Sequence, residues 1–356
     1  MKRAPRIAAI QDISGFGRCS TTVVLPVLAA MGGECCPLLT ACLSAHTAFP
    51  ASEKATFLDL TGQMAGTAAH WAELGVTFDA IYSGFLGSAG QIGLIEDFYR
   101  QFRREGTLVL VDPVMGDHGK PYRTYTPELC GRMRDLAAQA DVITPNLTEA
   151  ALLLEEDYAD LPRDEEGLRA WLERLSLDGR RSVVLTGVSL RPGAIGAGCF
   201  DRATGRIRFA MARQEPAQFP GTGDLFASVV LGAMLQGEPL ETAAQRAAEF
   251  VQRCAAHTLA LGTPVLEGVR VRAAAGRADA EIRESPCRRT SAAWGFVYWA
   301  DWSRRVSRRS RRTACSRVQY STGRPSTRSK NAAACRAKRS PGGSARCSER
   351  ASPSGA

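Results

Sequence analysis

Residues 220–235 read PGTGDLFASVVLGAML, a glycine-rich turn that runs directly into an apolar helix. The apolar residues that recur at helical spacing and predict its buried face are Phe226, Val230, Ala233 and Met234. Gly221 and Gly223 let the backbone turn so that successive N–H groups point at one place, and the helix start adds positive partial charge there. The turn therefore predicts a place where negative charge is stabilised.

Asp224 is the acidic residue at the start of this helix. Its carboxylate stands where it could take a proton from an attacking hydroxyl group. The alternative is a purely structural acid in the first helical turn, stabilised by the helix dipole. The same dipole predicts that the carboxyl group is ionised at neutral pH. Because a GxGD motif alone fits both interpretations, the other strand ends decide between them.

The chain before this turn alternates short apolar runs with longer amphipathic stretches. The runs predicted as strands are residues 7–10, 80–82, 108–111, 142–143 and 183–185. The stretches predicted as helices are residues 22–31, 55–74, 89–104, 127–140 and 165–177. Alternating strands and helices predict βαβ units, and hence an α/β fold with a central, mostly parallel sheet and helices on both faces.

The last part of this region departs from the alternation. Residues 198–210 read GCFDRATGRIRFA and predict a small β-hairpin that turns at Gly205. Two helices are predicted at residues 224–236 and 240–261, and each ends at a glycine that is followed within two residues by proline. Residues 1–272 thus form one predicted α/β domain.

Small, polar and acidic residues follow every predicted strand. The five segments are QDISGFG at 11–17, YSGFLG at 82–87, DPVMGD at 112–117, TPNLTE at 144–149 and TG at 186–187. In an open parallel sheet, ligands bind outside the carboxyl ends of the strands. Five such segments on one edge therefore predict a binding site.

Asp112, Asn146 and Glu149 form the candidate metal-binding group at this edge. Asp112 precedes Pro113 and could be ordinary turn chemistry, and Glu149 could be a first-turn helix acid. Two carboxylates and an amide at neighbouring strand ends instead favour a magnesium site, because Mg²⁺ prefers oxygen ligands.

Several protein classes lack their motifs in this chain. There is no GxxxxGK[ST] phosphate-binding loop and no HRD or DFG motif of a protein kinase. The GFG at residues 15–17 lacks the third glycine and the acidic partner of a dinucleotide-binding fingerprint. The 11 cysteines show no zinc-type spacing and are interpreted as reduced thiols.

The N-terminal sequence MKRAPRIAAI lacks the apolar core and the small-residue cleavage site of a signal peptide. No apolar run reaches the roughly 20 residues that span a bilayer. Together with the reduced thiols, these features predict a cytoplasmic protein that has no membrane segment.

The basic balance of the chain comes from its C-terminal end. The net charge is +9, yet residues 281–356 hold 18 of the 45 Lys and Arg and only four of the 36 Asp and Glu. Residues 273–356 are rich in Arg and Ser and are predicted to be a disordered basic tail. Such a tail could bind nucleic acid or could result from a frameshifted gene end. Its aromatic residues cluster at 294–302 instead of interleaving with arginine, which favours the second explanation.

Five of the motifs together resemble one enzyme family. GTGD at 221–224 is similar to the anion-hole and catalytic-base signature of ribokinase-like kinases. DPVMG at 112–116 and TPNLTE at 144–149 resemble the branch that holds pyridoxal kinases and hydroxymethylpyrimidine kinases. YSGFLGS at 82–88 and SAHT at 44–47 look like the pyridoxal/pyridoxamine kinase family, and the resemblance covers residues 5–270.

The resemblance implies a ribokinase-like fold, usually in a homodimer. It implies phosphorylation of the 5′-hydroxymethyl group of pyridoxal, pyridoxamine or pyridoxine by ATP, with Mg²⁺ and often a K⁺-type ion. Asp224 would be the base, and the anion hole would consist of Gly221, Thr222 and Gly223. The metal would be managed, directly or through water, by Asp112 and Glu149. Residues near the nucleotide would be Asn146, Glu149, Thr186 and Gly187, and residues around the pyridine ring would be Asp12, Ser14, His46 and Thr47.

The chain departs from the family pattern at three places. A serine often faces the ring where Asp12 stands, and a lysine often follows the fifth strand, where this chain has Thr186 and Gly187. The basic tail from about residue 272 has no counterpart in the family pattern. The nearest alternative is a hydroxymethylpyrimidine kinase, which needs the same anion hole and the same primary alcohol. A nucleic-acid-binding protein that uses the basic tail is a second alternative. An inactive binding protein on the same fold is a third, against which the intact GTGD segment argues.

Overall fold

The computed structural model describes residues 3–122 and 125–271. The predicted domain boundary at residue 272 and the predicted disorder of residues 273–356 lie outside these ranges and stay predictions. Within the two ranges, no helix combines the length and the apolar character needed to cross a bilayer.

A nine-stranded sheet forms the centre of the fold. Its strands are β1 (Arg6–Ser14), β2 (Glu34–Leu43), β3 (Phe57–Asp59), β4 (Ala80–Ser83), β5 (Leu108–Val111), β8 (Val142–Ile143), β9 (Ser182–Val188), β10 (Ala194–Asp201) and β11 (Arg206–Arg213). Their order across the sheet is β11-β10-β9-β8-β5-β4-β1-β2-β3. Neighbouring strands from β9 to β2 pair in parallel. At one edge β3 pairs antiparallel with β2, and at the other edge β10 pairs antiparallel with both β9 and β11. A separate hairpin of β6 (Gly116–Asp117) and β7 (Lys120–Pro121) follows β5.

Helices cover both faces of the sheet. They are α1 (Thr21–Ala30), α2 (Thr61–Glu73), α3 (Ala89–Phe102), α4 (Pro127–Ala138), α5 (Leu147–Leu154), α6 (Glu165–Leu175), α7 (Thr222–Leu235) and α8 (Leu240–Ala260). Two short 3₁₀ turns lie at Tyr158–Asp160 and Val265–Glu267. Helices α1, α7 and α8 pack on one face, and α2 to α6 pack on the other. The predicted α/β class, mostly parallel sheet and two helical layers are confirmed.

β1 shows why the sheet is buried on both sides. Ile7 and Ala9 point into the apolar cluster under α1, α7 and α8, whereas Ala8 and Ile10 point into the cluster under α2 to α6. None of the four side chains is more than 1% exposed. A continuous apolar run is what a parallel strand needs when helices cover both of its faces.

The strand order reverses between β1 and β4, which creates a crevice at their carboxyl ends. The chain leaves β1 for β2 through α1 on one face and returns to β4 through α2 on the other face. In open α/β sheets, ligands bind in the crevice at such a switch point. Helix α7 packs on α1, so the glycine-rich turn that begins α7 lies beside this crevice.

The predicted helix at residues 55–74 is wrong at its start. Residues 57–59 form the edge strand β3, and helix α2 begins only at Thr61. Asp59 separates the two elements, because its carboxylate accepts a hydrogen bond from the Thr61 N–H at 2.7 Å and turns the chain. The sequence analysis also omitted β2, the strand that pairs with β3, and helix α5.

The predicted hairpin at residues 198–210 is confirmed and is longer than expected. β10 and β11 pair from Ala194 opposite Arg213 to Asp201 opposite Arg206. Gly205 takes φ +64° in the connecting turn, a conformation that glycine adopts without steric cost. The hairpin joins the main sheet through β9, so it extends the sheet beyond its parallel part.

Candidate active site

The turn before α7 presents backbone N–H groups to the crevice. Gly221 takes φ +81° at the helix start, and the Thr222 hydroxyl donates to the Phe219 carbonyl at 3.0 Å. Within the described part of the chain, no side chain caps this helix start. A Cβ added at Gly223 would meet no atom within 4 Å, so the turn faces open space. The first-turn N–H groups of a helix have no partners inside the helix and can therefore bind an anion here.

Only glycine fits at position 221. An added Cβ would lie 2.2 Å from the carbonyl oxygen of Arg18, a distance at which atoms overlap. The left-handed φ would add strain for any other residue. The loop after β1 therefore packs directly against the glycine-rich turn, and each segment restricts the position of the other.

Asp224 faces the loop after β1. The Ser20 N–H donates to Asp224 Oδ2 at 2.7 Å. Ser20 takes φ +47°, a strained conformation for a residue with a side chain, and this conformation directs its N–H to the carboxylate. The strain therefore contributes to the site geometry.

The pKa of Asp224 is raised from 3.8 to about 7, chiefly because the carboxyl group is buried. The Ser20 N–H lowers this pKa, and the charge of Asp12 raises it further. The expectation that the helix start keeps Asp224 ionised at neutral pH is therefore wrong in direction. Loss of hydration outweighs the favourable dipole, and the carboxyl group titrates near neutrality, which suits a general base.

Asp12 and Ser14 end β1 inside the crevice. Both are buried, and the Ser14 hydroxyl donates to Asp12 Oδ2 at 3.2 Å. The Cys19 thiol lies 3.7 Å from the Ser14 hydroxyl. Burial raises the pKa of Asp12, and it raises the pKa of Cys19 far above its ordinary range. The thiol is therefore protonated at neutral pH and does not offer a thiolate nucleophile.

Asp112 follows β5 and is buried close to Asp224. Its pKa is raised to about 8, first by burial and then by the charge of Asp224. Two buried carboxyl groups that repel each other bind either a proton or a cation. The pair therefore offers negative charge and oxygen atoms to a divalent metal, which would need further ligands.

Three buried polar side chains lie near these carboxyl groups. Among the described residues, the side-chain amide of Gln11, the Tyr82 hydroxyl and the Thr144 hydroxyl make no hydrogen bond of normal geometry, although Gln11 lies near Tyr82 and Thr144 lies near Asp112. Both Asp112 and Asp224 raise the pKa of Tyr82, after the larger effect of burial. Buried polar groups of this kind are ordinarily satisfied by water or by a ligand.

Glu149 and Asn146 form a reciprocal capping box at the start of α5. The Asn146 N–H donates to Glu149 Oε2 at 2.8 Å, and the Glu149 N–H donates to Asn146 Oδ1 at 3.0 Å. Glu149 Oε1 also accepts the Met115 N–H at 3.2 Å, and Asn146 Nδ2 donates to the Gly116 carbonyl at 2.9 Å. Burial and then the charge of Asp112 raise the pKa of Glu149. Glu149 is thus a helix-start acid, and its role at a metal site stays a prediction.

Thr186 and Gly187 continue the edge beyond Asn146. The Thr186 N–H donates to the Pro145 carbonyl at 2.8 Å, and Gly187 takes φ +78°. A cavity of about 450 Å³ opens beside Gly187. Its lining consists of Leu147, Tyr158, Ala159, Leu161, Pro162, Arg163, Leu168, Gly187, Val188 and Ser189.

His46 makes a contact that the sequence analysis did not predict. Its Nε2 donates to the Leu266 carbonyl at 2.7 Å, and its ring packs on Phe49 with the centroids 4.7 Å apart. Burial lowers the pKa of His46, so the ring is neutral and Nε2 carries the proton. Thr47, the next residue, is exposed. The assignment of both residues to the pyridine ring stays a prediction.

The structure gathers most of the predicted site residues at one edge of the sheet: Asp12, Ser14, Asp112, Asn146, Glu149, Thr186 and Asp224. Gln11, Tyr82 and Thr144 lie in the predicted strand-end segments but were given no individual role, and Cys19 and Ser20 lie outside those segments. Ser20 carried a different signal, because serine before a predicted helix is a capping residue. Its actual contribution is a backbone N–H, which its residue type does not reveal.

Comparison with known proteins agrees with this geometry. The family model described as phosphomethylpyrimidine kinase matches residues 22–267. The pyridoxal kinase PdxY of Pseudomonas syringae pv. syringae (strain B728a) is 30% identical over 280 residues, which cover 76% of this chain and 94% of that protein. The pyridoxine/pyridoxal/pyridoxamine kinase of Bordetella pertussis (strain Tohama I) is 28% identical over 258 residues, which cover 68% and 85%.

Solved structures of kinases from the same family also match this chain. The pyridoxal kinase from Lactobacillus plantarum matches with a TM-score of 0.71 at 31% identity, covering 78% of this chain and 98% of that one. A Bacteroides thetaiotaomicron protein described as a phosphomethylpyrimidine kinase, crystallised with pyridoxal, matches with a TM-score of 0.73 at 40% identity, covering 78% and 96%. The predicted ribokinase-like fold is confirmed, and the chain belongs to the pyridoxal kinase branch of the phosphomethylpyrimidine kinase family.

Proposed function

We propose that this chain transfers the γ-phosphoryl group of ATP to the 5′-hydroxymethyl group of pyridoxal, pyridoxamine or pyridoxine, as a kinase of vitamin B6 salvage. The observation that carries the proposal is Asp224 at the uncapped, glycine-rich start of α7, held by the Ser20 N–H and titrating near neutrality. The names of the relatives, which include pyridoxal kinase at 30% and 31% identity, support the same reaction.

The chemistry requires a base and a place for negative charge. The hydroxyl oxygen attacks the γ-phosphorus, the bond from phosphorus to the β,γ-bridging oxygen breaks, and ADP leaves. Asp224 accepts the hydroxyl proton as the new oxygen–phosphorus bond forms. The N–H groups of Gly221, Thr222 and Gly223 would stabilise the charge on the phosphoryl oxygens, because they lie at the uncapped start of α7.

ATP would occupy the edge formed by Asn146, Glu149, Thr186 and Gly187. Mg²⁺ would be held by Asp112 directly and by Glu149 through water, because both Glu149 oxygens already accept backbone N–H groups. Among the described residues, no three His, Cys, Asp or Glu side chains form a complete metal site. This fits an ion that takes its remaining ligands from phosphate and water. When bound, Mg²⁺ would neutralise part of the negative charge of the ATP phosphates, and a K⁺-type ion would also neutralise phosphate charge.

The vitamin would lie on the other side of Asp224. Asp12 and Ser14 are buried at the end of β1 and offer hydrogen-bonding groups to a pyridine ring. His46 and Thr47 would close this side. We further propose a homodimer in the cytoplasm. Nucleic-acid binding through residues 273–356 is not part of the proposal.

An assay of ADP release tests the proposal directly. Pyridoxal, pyridoxamine, pyridoxine and hydroxymethylpyrimidine are offered to the full chain with ATP and Mg²⁺. We expect turnover with at least one B6 vitamer, and little with hydroxymethylpyrimidine. Preferred turnover of hydroxymethylpyrimidine would replace the proposed substrate, and no ADP release with any of the four would refute a kinase of this class. Asp224→Asn is the matched inactive control.

A further inference from the structure

The segment at residues 265–269 bonds to three different parts of the site. Its backbone contacts the loop after β1, the loop after β2 and the turn before α7. Val269 is fully buried, so the segment is fixed on the domain. We call this segment the C-terminal turn.

Arg18 makes most of the contacts to the C-terminal turn. Its N–H donates to the Glu267 carbonyl at 3.0 Å, and its Nη1 donates to the carbonyls of Glu267 at 2.9 Å and Gly268 at 3.1 Å. The Glu267 carboxylate lies 3.8 Å from Nη2. Gly268 takes φ +78°, and an added Cβ there would lie 2.5 Å from the Arg18 carbonyl oxygen. A planar guanidinium suits two adjacent carbonyls, whereas an ammonium group reaches them less well.

Two further contacts join the C-terminal turn to the site. The His46 Nε2 donates to the Leu266 carbonyl at 2.7 Å, and the Val269 N–H donates to the Pro220 carbonyl at 3.2 Å. Pro220 immediately precedes Gly221 of the implied anion hole. The C-terminal turn therefore contacts the loop of the base partner and the loop of the anion hole at the same time.

Arg18 is two residues from the group that bonds to the base. The Arg18 carbonyl packs against Gly221, and Ser20, in its strained conformation, directs its N–H to Asp224. A strained residue keeps its conformation only when its surroundings fix it. The contacts of Arg18 with the C-terminal turn hold the loop in this conformation, on the side of the loop that faces away from the Asp224 carboxylate.

We propose that Arg18 is a positioning residue, which fastens the loop after β1 to the C-terminal turn and so holds the Ser20 N–H against Asp224 and the loop against Gly221. The proposal rests on the proposed kinase function, because its effect is on the rate of phosphoryl transfer. Arg18 itself touches neither substrate nor the reacting atoms. Its loss lets the loop relax and withdraws the Ser20 N–H from Asp224, while the binding surfaces for ATP and the vitamin remain.

The test compares Arg18→Met and Arg18→Lys in the full chain. The matched control is Arg134→Met, because Arg134 is similarly exposed, donates to the Leu152 carbonyl at 3.3 Å and pairs with Glu155 at 2.8 Å, at the end of α5 opposite to Glu149. We expect Arg18→Met to lower kcat by about tenfold or more, with KM for pyridoxal changed less than about threefold. Arg18→Lys should recover part of kcat. Arg134→Met should lower the melting temperature and leave kcat within about twofold.

Hydrogen exchange of the backbone amides gives a readout that needs no activity. We expect faster exchange at residues 15–22 in Arg18→Met, and unchanged exchange there in Arg134→Met. Unchanged exchange at residues 15–22, or a kcat that falls equally in both methionine variants, would overturn the proposal. If Arg18→Met does not fold, the same measurements are made on Arg18→Lys. Wild-type kcat and wild-type exchange at residues 15–22 in Arg18→Lys would then overturn the proposal. A wild-type chain that phosphorylates no B6 vitamer refutes the proposed function, whereas the exchange result tests the fastening itself.

Discussion

Replacing Asp224 by asparagine keeps the shape of the side chain and removes its charge. Asparagine can still accept the Ser20 N–H through its carbonyl oxygen, so the contact at 2.7 Å can be kept. The variant loses the group that takes the proton, and it also loses a carboxylate that burial disfavours. The substitution should therefore lower the rate of phosphoryl transfer and raise the stability of the fold.

The magnitude follows from the pKa of Asp224, which is 3.8 ordinarily and about 7 in the folded chain. A difference of about three units at 1.36 kcal/mol each sets an upper limit of about 4 kcal/mol, and cleft water should reduce this to about 2 kcal/mol. Because the pKa of Asp224 is higher in the folded chain, ionisation of this group lowers the free energy of unfolding of the wild type. The loss is absent below pH 4, grows between pH 4 and 7, and is complete above pH 7. The variant should be more stable than wild type at pH 8, with a smaller difference at pH 5.

Chemical denaturation at pH 5 and pH 8 measures the stability, and single-turnover kinetics measure the transfer rate. We expect the rate to fall by about 10² to 10⁴, with ATP binding near that of wild type. Asp135→Asn, on the exposed side of α4, is the control and should change neither quantity. A variant less stable than wild type at pH 8 would contradict the burial argument. A transfer rate within a few-fold of wild type would remove Asp224 as the base.

Four further outcomes test the site. Wild-type turnover should rise with pH through about 7 and then level off, because the base must be deprotonated; a pH profile flat from 5 to 8 would contradict this. Glu149→Gln should lower turnover and raise the Mg²⁺ requirement while B6 binding survives, and the reverse pattern in a magnesium titration would show that the assignment is wrong. Gly221→Ala should cost about 1–3 kcal/mol and most of the activity, because its Cβ meets the Arg18 carbonyl; wild-type denaturation and kinetics would contradict that clash. A chain shortened after Arg272 should keep its melting temperature and turnover, and a large fall in either would place the tail inside the domain.

The parallel part of the fold could be predicted because its strands are buried on both faces. Residues 7–10 and 108–111 are apolar without interruption, and helices such as α3 and α6 show one apolar stripe each. β3 lacked such a signal, because Phe57 and Leu58 are largely exposed at the sheet edge and their neighbours fit a helical pattern. Edge strands gain their stability from a partner strand, here β2, which the local sequence does not show.

The candidate site could be predicted where an acidic side chain follows a strand or begins a helix. Asp112, Glu149 and Asp224 carry acidic groups at strand ends or helix starts, and their positions indicated the edge where they meet. Ser20 and Arg18 contribute backbone and long-range contacts, and residue type gives no information on either. The raised pKa of Asp224 depends on burial by the assembled loops, so no reading of the helix start alone could give its direction.

The contact of Arg18 with Glu267 joins residues 249 positions apart. A ribosome synthesises the chain from its N-terminus, so the loop after β1 emerges early and its partner emerges near the end of the domain. Contacts between such distant residues are costly to close and form late in folding. A nascent chain can thus complete most of the sheet before its catalytic loop is secured, and catalytic competence arrives only with the last residues of the domain.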